Sequence, residues 1–172
     1  MGRRHGRFPD PAMMDGAVRL ALWAGALGSG LLAGVFFAFS AFVMAALAKL
    51  PPAQGIAAMQ SINRVILGSS FMALFFGTPI AAAGLLVAAA AGWSPAAPWT
   101  TAAAALAMII GMLGCTIAFN VPLNRRLDAA APAEGAALWA RYLRQWTRWN
   151  HLRTVASLAA CGLFIRAIAL QP

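Results

Sequence analysis

The side chains best equipped for chemistry gather in two short motifs, FNVPLN (residues 119–124) and WTRWNHLRT (146–154), with AMQSIN (58–63) as a third, smaller contributor. The Arg153 guanidinium could hold an anion or stabilise an oxyanion as it develops. The amides of Asn63, Asn120, Asn124 and Asn150 could orient a polar group by hydrogen bonds. Trp146 and Trp149 offer flat faces for stacking a ring or a cation. His151 is the one imidazole among them, and so it is a candidate proton carrier. Metal chemistry finds little support. The chain has two histidines, His5 and His151, and no carboxylate inside an apolar run, too few ligands for a zinc, iron or haem site. A nucleophile elbow, a P-loop and a dinucleotide fingerprint are all missing. The expected cofactor set is therefore none.

The elements that must position these residues are membrane spans. Of 172 residues, 62% are hydrophobic, against about 45–50% in soluble domains. The net charge of +9 comes from 13 basic and 4 acidic side chains. Because the basic residues flank apolar runs, anionic lipid head groups are the expected partner, and nucleic acid is not. Cys115 and Cys161 fall within apolar runs and form no CxxC, so they read as small buried hydrophobes. The basic start MGRRHGR imitates a signal peptide. The apolar run behind it is about twice as long as a signal peptide's core, which favours an uncleaved span.

The chain is expected to be all-α: a four-helix transmembrane bundle with a short amphipathic interfacial helix before the fourth span. Residues 1–17 read as a basic, poorly ordered tail. The spans are placed at about 18–48, 65–91, 100–121 and 152–170. Pro51-Pro52 should close the first, Gly92-Trp93-Ser94-Pro95 should turn the second into the third, and Pro122 should close the third. Pro79 should kink the second span, with Thr78 at hand to bond a freed carbonyl. Ala26, Gly30, Gly34 and Ala38 make a small-residue stripe on the first span, for packing within the chain or for a homo-oligomer contact.

Four antiparallel spans put Asn63, Arg64, Asn120, Asn124, Asn150 and Arg153 at one end of the bundle. Arginine and tryptophan collect at membrane interfaces for ordinary reasons, so the helical phase has to separate site from boundary. At about 100° per residue, Arg141, Arg144 and Arg148 share one face, with His151 on its flank. Leu138, Trp139, Tyr142, Leu143, Trp146 and Trp149 cover the other, and Asn150 and Arg153 fall among them. A charge aimed into an apolar wall is costly unless satisfied, which marks it as functional. Arg153 is expected to be held inside the protein, with the carbonyl oxygens of Asn120 and Asn124 as its partners.

The blocks GLLAGVFFAFSAFVMAAL (30–47), AMQSIN (58–63), FNVPLN (119–124) and WTRWNHLRT (146–154) resemble, in order, the signature blocks of the anthrone oxygenase-like membrane proteins. The resemblance covers about residues 18–168. It implies a four-helix integral membrane protein whose fungal relatives oxidise anthrones to anthraquinones without a bound metal or flavin. It also implies functional weight at Asn63, Asn120, Asn124, Trp149, Asn150 and Arg153.

Two functions of different class follow. In the first, a cofactor-independent oxygenase (a monooxygenase) acts on a flat phenolic or anthrone-like lipophilic molecule. Arg153, His151 and Asn150 are then the catalytic candidates, and Asn63, Asn120, Asn124, Trp146 and Trp149 bind substrate arriving sideways from the membrane. In the second, a non-enzymatic module binds a lipid, quinone or partner protein, aided by a collar of Arg64, Arg125, Arg126, Arg141, Arg144 and Arg148. A transporter fits less well, since inverted repeats and an intramembrane carboxylate are both missing. The balance of flanking charge places the polar end in the cytoplasm and both termini outside, in a plasma (inner) membrane.

Overall fold

The computed structural model describes residues 11–93, 97–130 and 135–171, and among these every regular element is a helix. Helix is the form an apolar chain must take in lipid, because no water is present to satisfy the backbone and the helix satisfies it internally. Four helices are long and apolar enough to cross a membrane: α1 (Met13–Leu47), α3 (Phe71–Ala90), α4 (Pro98–Asp128) and α5 (Gly135–Ala169). A fifth, α2 (Pro52–Leu67), joins α1 to α3. The four spans close into a ring: α1 packs on α3 and α5, and α4 packs on the same two from the other side. The protein is a four-helix transmembrane bundle.

Several boundaries differ from expectation, each for a local reason. Helical structure begins at Pro11, so part of the expected tail extends the first helix; residues 1–10 lie outside the described residues. The supposed connection 53–64 is itself helical. Pro52 sits at the start of α2, where its missing N–H costs nothing. Val65, Ile66 and Leu67 end α2 and do not begin the second span. The break falls at 68–70, where the Ser69 hydroxyl donates to the Ile66 carbonyl at 2.8 Å and competes with helix continuation. Within α3 the Thr78 hydroxyl donates to the Leu74 carbonyl at 2.9 Å, not to the Phe75 carbonyl that Pro79 leaves free.

Pro122 does not close the third span. The residues before it, Thr116–Asn120, are π-helical, and the Val121 N–H reaches back five residues to the Thr116 carbonyl. That widened turn accommodates a ring that would otherwise strike the carbonyl four residues behind it. Similar π-helical stretches occur at Phe39–Val43 in α1 and Ala107–Gly114 in α4. The amphipathic segment before the fourth span is continuous with it, one 35-residue helix. The turn after α3 uses Gly92 at φ +84, a conformation open to glycine. The rest of that expected turn, Ser94-Pro95, lies outside the described residues.

Two glycines let helices approach closely. A Cβ on Gly111 would sit 2.6 Å from the Ala156 Cβ, drawing α4 against α5. A Cβ on Gly55 would sit 2.7 Å from the Trp139 ring, which seats α2 across the end of the bundle against α5. The small-residue stripe on α1 divides: Ala26 is buried, Gly30 faces Cys161, and Gly34 has open space in front of it. One apolar core fills the bundle around Leu22, Leu32, Met108 and Phe164. A second, aromatic core at the polar end joins Met44, Met59, Leu127, Trp139, Tyr142 and Trp146.

Candidate functional site

Arg153 is 5% exposed and, among the described residues, is the one buried charged side chain. Its helix turns it inward with Trp139, Tyr142, Trp146 and Asn150, the face that helical phase assigned to it. Its Nη2 donates to the Asn150 Oδ1 at 2.7 Å, and its Nη1 lies 3.5 Å from the Thr116 hydroxyl. The guanidinium carbon stands 4.5 Å from the centre of the Phe36 ring and 5.0 Å from that of Trp146. So the charge is met by an amide, a hydroxyl and two π faces, and no carboxylate pairs with it among the described residues.

Asn150 is fully buried and fixes this arrangement from the α1 side. Its Nδ2 donates to the Phe36 carbonyl at 2.6 Å and to the Ser40 hydroxyl at 2.7 Å, while its Oδ1 is kept for Arg153. Ser40 lies in the π-helical turn of α1 and also meets the Thr154 hydroxyl at 3.3 Å. One asparagine therefore bridges α1 to the arginine of α5.

Asn120 and Asn124 are not the partners of Arg153. Asn124 accepts from the Tyr142 hydroxyl at 2.8 Å, a hydroxyl that also interacts with Asn63. Asn120 is 1% exposed and places its Nδ2 3.4 Å from the Trp146 carbonyl, and its Oδ1 is unpartnered. The antiparallel register of α4 and α5 explains the difference: 124 faces 142, 120 faces 146, and 116 faces 153. Arg153 lies one turn deeper than Asn120, at the level of Thr116.

Beside this network lies a cavity of about 490 Å³, within the roughly 300–1,000 Å³ usual for small-molecule sites. Its wall brings together Asn63, Asn124, Trp146 and Arg153 with Phe36, Phe39, Met59, Phe71, Phe75 and Thr116. Arg64, Arg125 and Asp128 line it at the polar end. Trp149 and His151 are not part of the wall. Trp149 stacks on Phe119 outside it, ring centres 3.7 Å apart and 5° from parallel, and His151 is exposed. Arg141, Arg144 and Arg148 are exposed as well.

Sequence reasoning passed over Thr116, Ser40, Phe36 and Asp128. Thr116 lies four residues before Asn120, on the same helical face, and that spacing was the available signal. Ser40 and Phe36 carried no comparable mark. Among the described residues no three His, Cys, Asp or Glu side chains converge to hold a metal ion.

Fold and site together define a four-span membrane protein whose polar residues converge at one end on an apolar cavity. The anthrone oxygenase family matches residues 71–163, more than half of the chain, and the chain belongs to that family. The match covers α3, α4 and most of α5, and so contains Asn120, Asn124, Asn150 and Arg153. No curated protein and no solved structure matches the chain.

Proposed function

We propose that the cavity is the active site of a cofactor-independent oxygenase acting on a flat, lipophilic phenol of the anthrone type. The observation that carries this reading is a buried cation with no carboxylate partner among the described residues, on the wall of an apolar cavity large enough for a few fused rings. A charge so placed is costly to keep unless an anion completes it.

Such a substrate becomes an electron-rich anion on losing a proton, with its negative charge largely on oxygen. Arg153 stabilises that oxyanion in a site where little water screens the interaction. Trp146, Phe36 and Phe39 enclose the ring system, and Asn63 and Asn124 offer amides to its hydroxyl groups. The anion passes one electron to dioxygen. The resulting radical and superoxide combine at the ring carbon and form a C–O bond. Loss of water from the hydroperoxide leaves a carbonyl where a CH₂ stood, so one oxygen atom enters the product and the other leaves as water. The proton lost in the first step returns to the peroxide anion to give the hydroperoxide. His151, outside the cavity, and Asp128, about 16 Å along α4 from Ile117 at the outer end, are both too far from the reacting carbon to take it directly.

Oxygen uptake by the protein in lipid nanodiscs, with a hydroxyanthrone as substrate, tests this. One O₂ should be consumed per quinone formed. Arg153→Ala should lower the rate at least a hundredfold, the roughly 3 kcal/mol typical of a lost oxyanion donor. Arg144→Ala should leave it unchanged. A full rate in Arg153→Ala would overturn the assignment.

A further inference from the structure

The cavity has a second feature, the direction in which it opens. α3 packs along the first half of α4, Pro98 to Gly114, but beyond Cys115 the two helices part. The wall residues exposed at this gap are apolar: Leu67 at the end of α2, Phe76 on α3 and Ile117 on α4, which are 67%, 48% and 60% exposed. On a span, exposed apolar side chains face lipid. Above them the exposed wall residues are charged, Arg64, Arg125 and Asp128.

Ile117, Val121, Asn124, Arg125 and Asp128 recur at helical spacing and present one stripe of α4 to the cavity. From Ile117 to Asp128 is 11 residues, or about 16 Å of helix. The opening is thus a slot along the side of the bundle, apolar at its deep end and basic at its outer end. That change from apolar to charged is the one a span shows where acyl chains give way to head groups. By contrast α3 packs against Pro11–Ala38 of α1.

We propose that the ligand of this cavity is an acidic, ring-bearing amphiphile dissolved in the bilayer, and that it passes sideways through the slot between α3 and α4. Its acidic group is drawn to Arg64 and Arg125 at the head-group level. Its rings slip between Phe76 and Ile117 from the lipid, and the oxyanion ends at Arg153. This rests on the reading of the cavity as the working site, and adds the route and the phase from which the ligand comes.

The experiment uses the full chain in lipid vesicles and a membrane-soluble hydroxyanthraquinone that quenches tryptophan emission. The quenching absent from Arg153→Ala reports on the site. Ile117→Trp and Phe76→Trp narrow the slot from its exposed rim. They should slow arrival at least tenfold. Ile110→Trp, equally lipid-exposed on α4 but off the wall, should match the wild type in rate and Kd. Arg64→Trp and Arg125→Trp, which narrow the outer end, should slow arrival less than Ile117→Trp does. If the outer variants slow arrival and the slot variants do not, the ligand comes from water and the lateral route is wrong, while the site itself stands. No difference in quenching between wild type and Arg153→Ala would remove the site and the route together.

Discussion

At the scale of single residues, the site depends on Asn150 as much as on Arg153. Asn150 makes three hydrogen bonds at that depth, to the Phe36 carbonyl, the Ser40 hydroxyl and the Arg153 guanidinium. Replacing it with alanine leaves a buried guanidinium short of an acceptor and a carbonyl short of a donor. The expected cost is about 1–3 kcal/mol of stability. Because the arginine loses its anchor, turnover should also fall. Thermal unfolding in detergent should show Asn150→Ala well below the wild type, and Arg144→Ala within about 0.5 kcal/mol of it, as befits an exposed charge. Equal stability in Asn150→Ala would mean that its bonds to α1 are replaced by others. Tyr142 and Asn124 are a second, separate pair, so changes there should add to those at Asn150 rather than mask them.

At the scale of elements, two close approaches hold the cavity in shape. Gly111 lets α4 lie against Ala156 of α5, which sets the register that brings Thr116 to Arg153. Gly111→Ala places a methyl where the Ala156 Cβ already is, so the helices must separate, at about 1–3 kcal/mol. Gly55→Ala meets the Trp139 ring instead and lifts α2 from the end of the bundle. The two variants should differ in kind. Gly111→Ala should lower the unfolding temperature and the turnover together. Gly55→Ala should mainly raise KM, because α2 supplies Met59, Ile62 and Asn63 to the wall and none of the groups around Arg153. A KM unchanged in Gly55→Ala would show that α2 is not needed to shape the cavity.

At the scale of the whole molecule, the distribution of charge bears on how the bundle sits in the membrane. Lys49, Arg64, Arg125, Arg126, Arg141, Arg144, Arg148 and Arg153 lie at the cavity end. At the other end, Arg3, Arg4, Arg7 and Arg19 precede or begin the first span, and Arg166 closes the fourth. Flanking lysine and arginine favour the cytoplasmic side. On the full count, eight against five, we propose that the cavity end is cytoplasmic. A reporter that works only outside the cytoplasm should be active when fused after Pro172, and one that works only inside should be silent. The reverse result would put the cavity end outside, and the slot would then sample the other leaflet.

Much of this was legible in the residues alone. Four apolar runs separated by prolines require four helices, since lipid leaves the backbone no other way to bond itself. Helical phase turned Asn150 and Arg153 inward and Arg141, Arg144 and Arg148 outward, because which way a side chain points along one helix is a matter of counting. Loop order put Asn63, Asn120, Asn124, Asn150 and Arg153 at one end. What counting could not provide was register between helices. A shift of one turn, about 5.4 Å, decides whether Arg153 meets Asn120 or Thr116. That shift depends on where Gly111 seats against Ala156 and how the π-helical turns rewind α4. For the same reason Trp149, adjacent in sequence to Asn150, falls outside the wall against Phe119, whereas Ser40 and Phe36, more than a hundred residues away, fall beside the charge. The tertiary structure alone also decided that α3 and α4 diverge beyond Cys115, because a gap between helices is a property of their packing and is carried by no residue in either one.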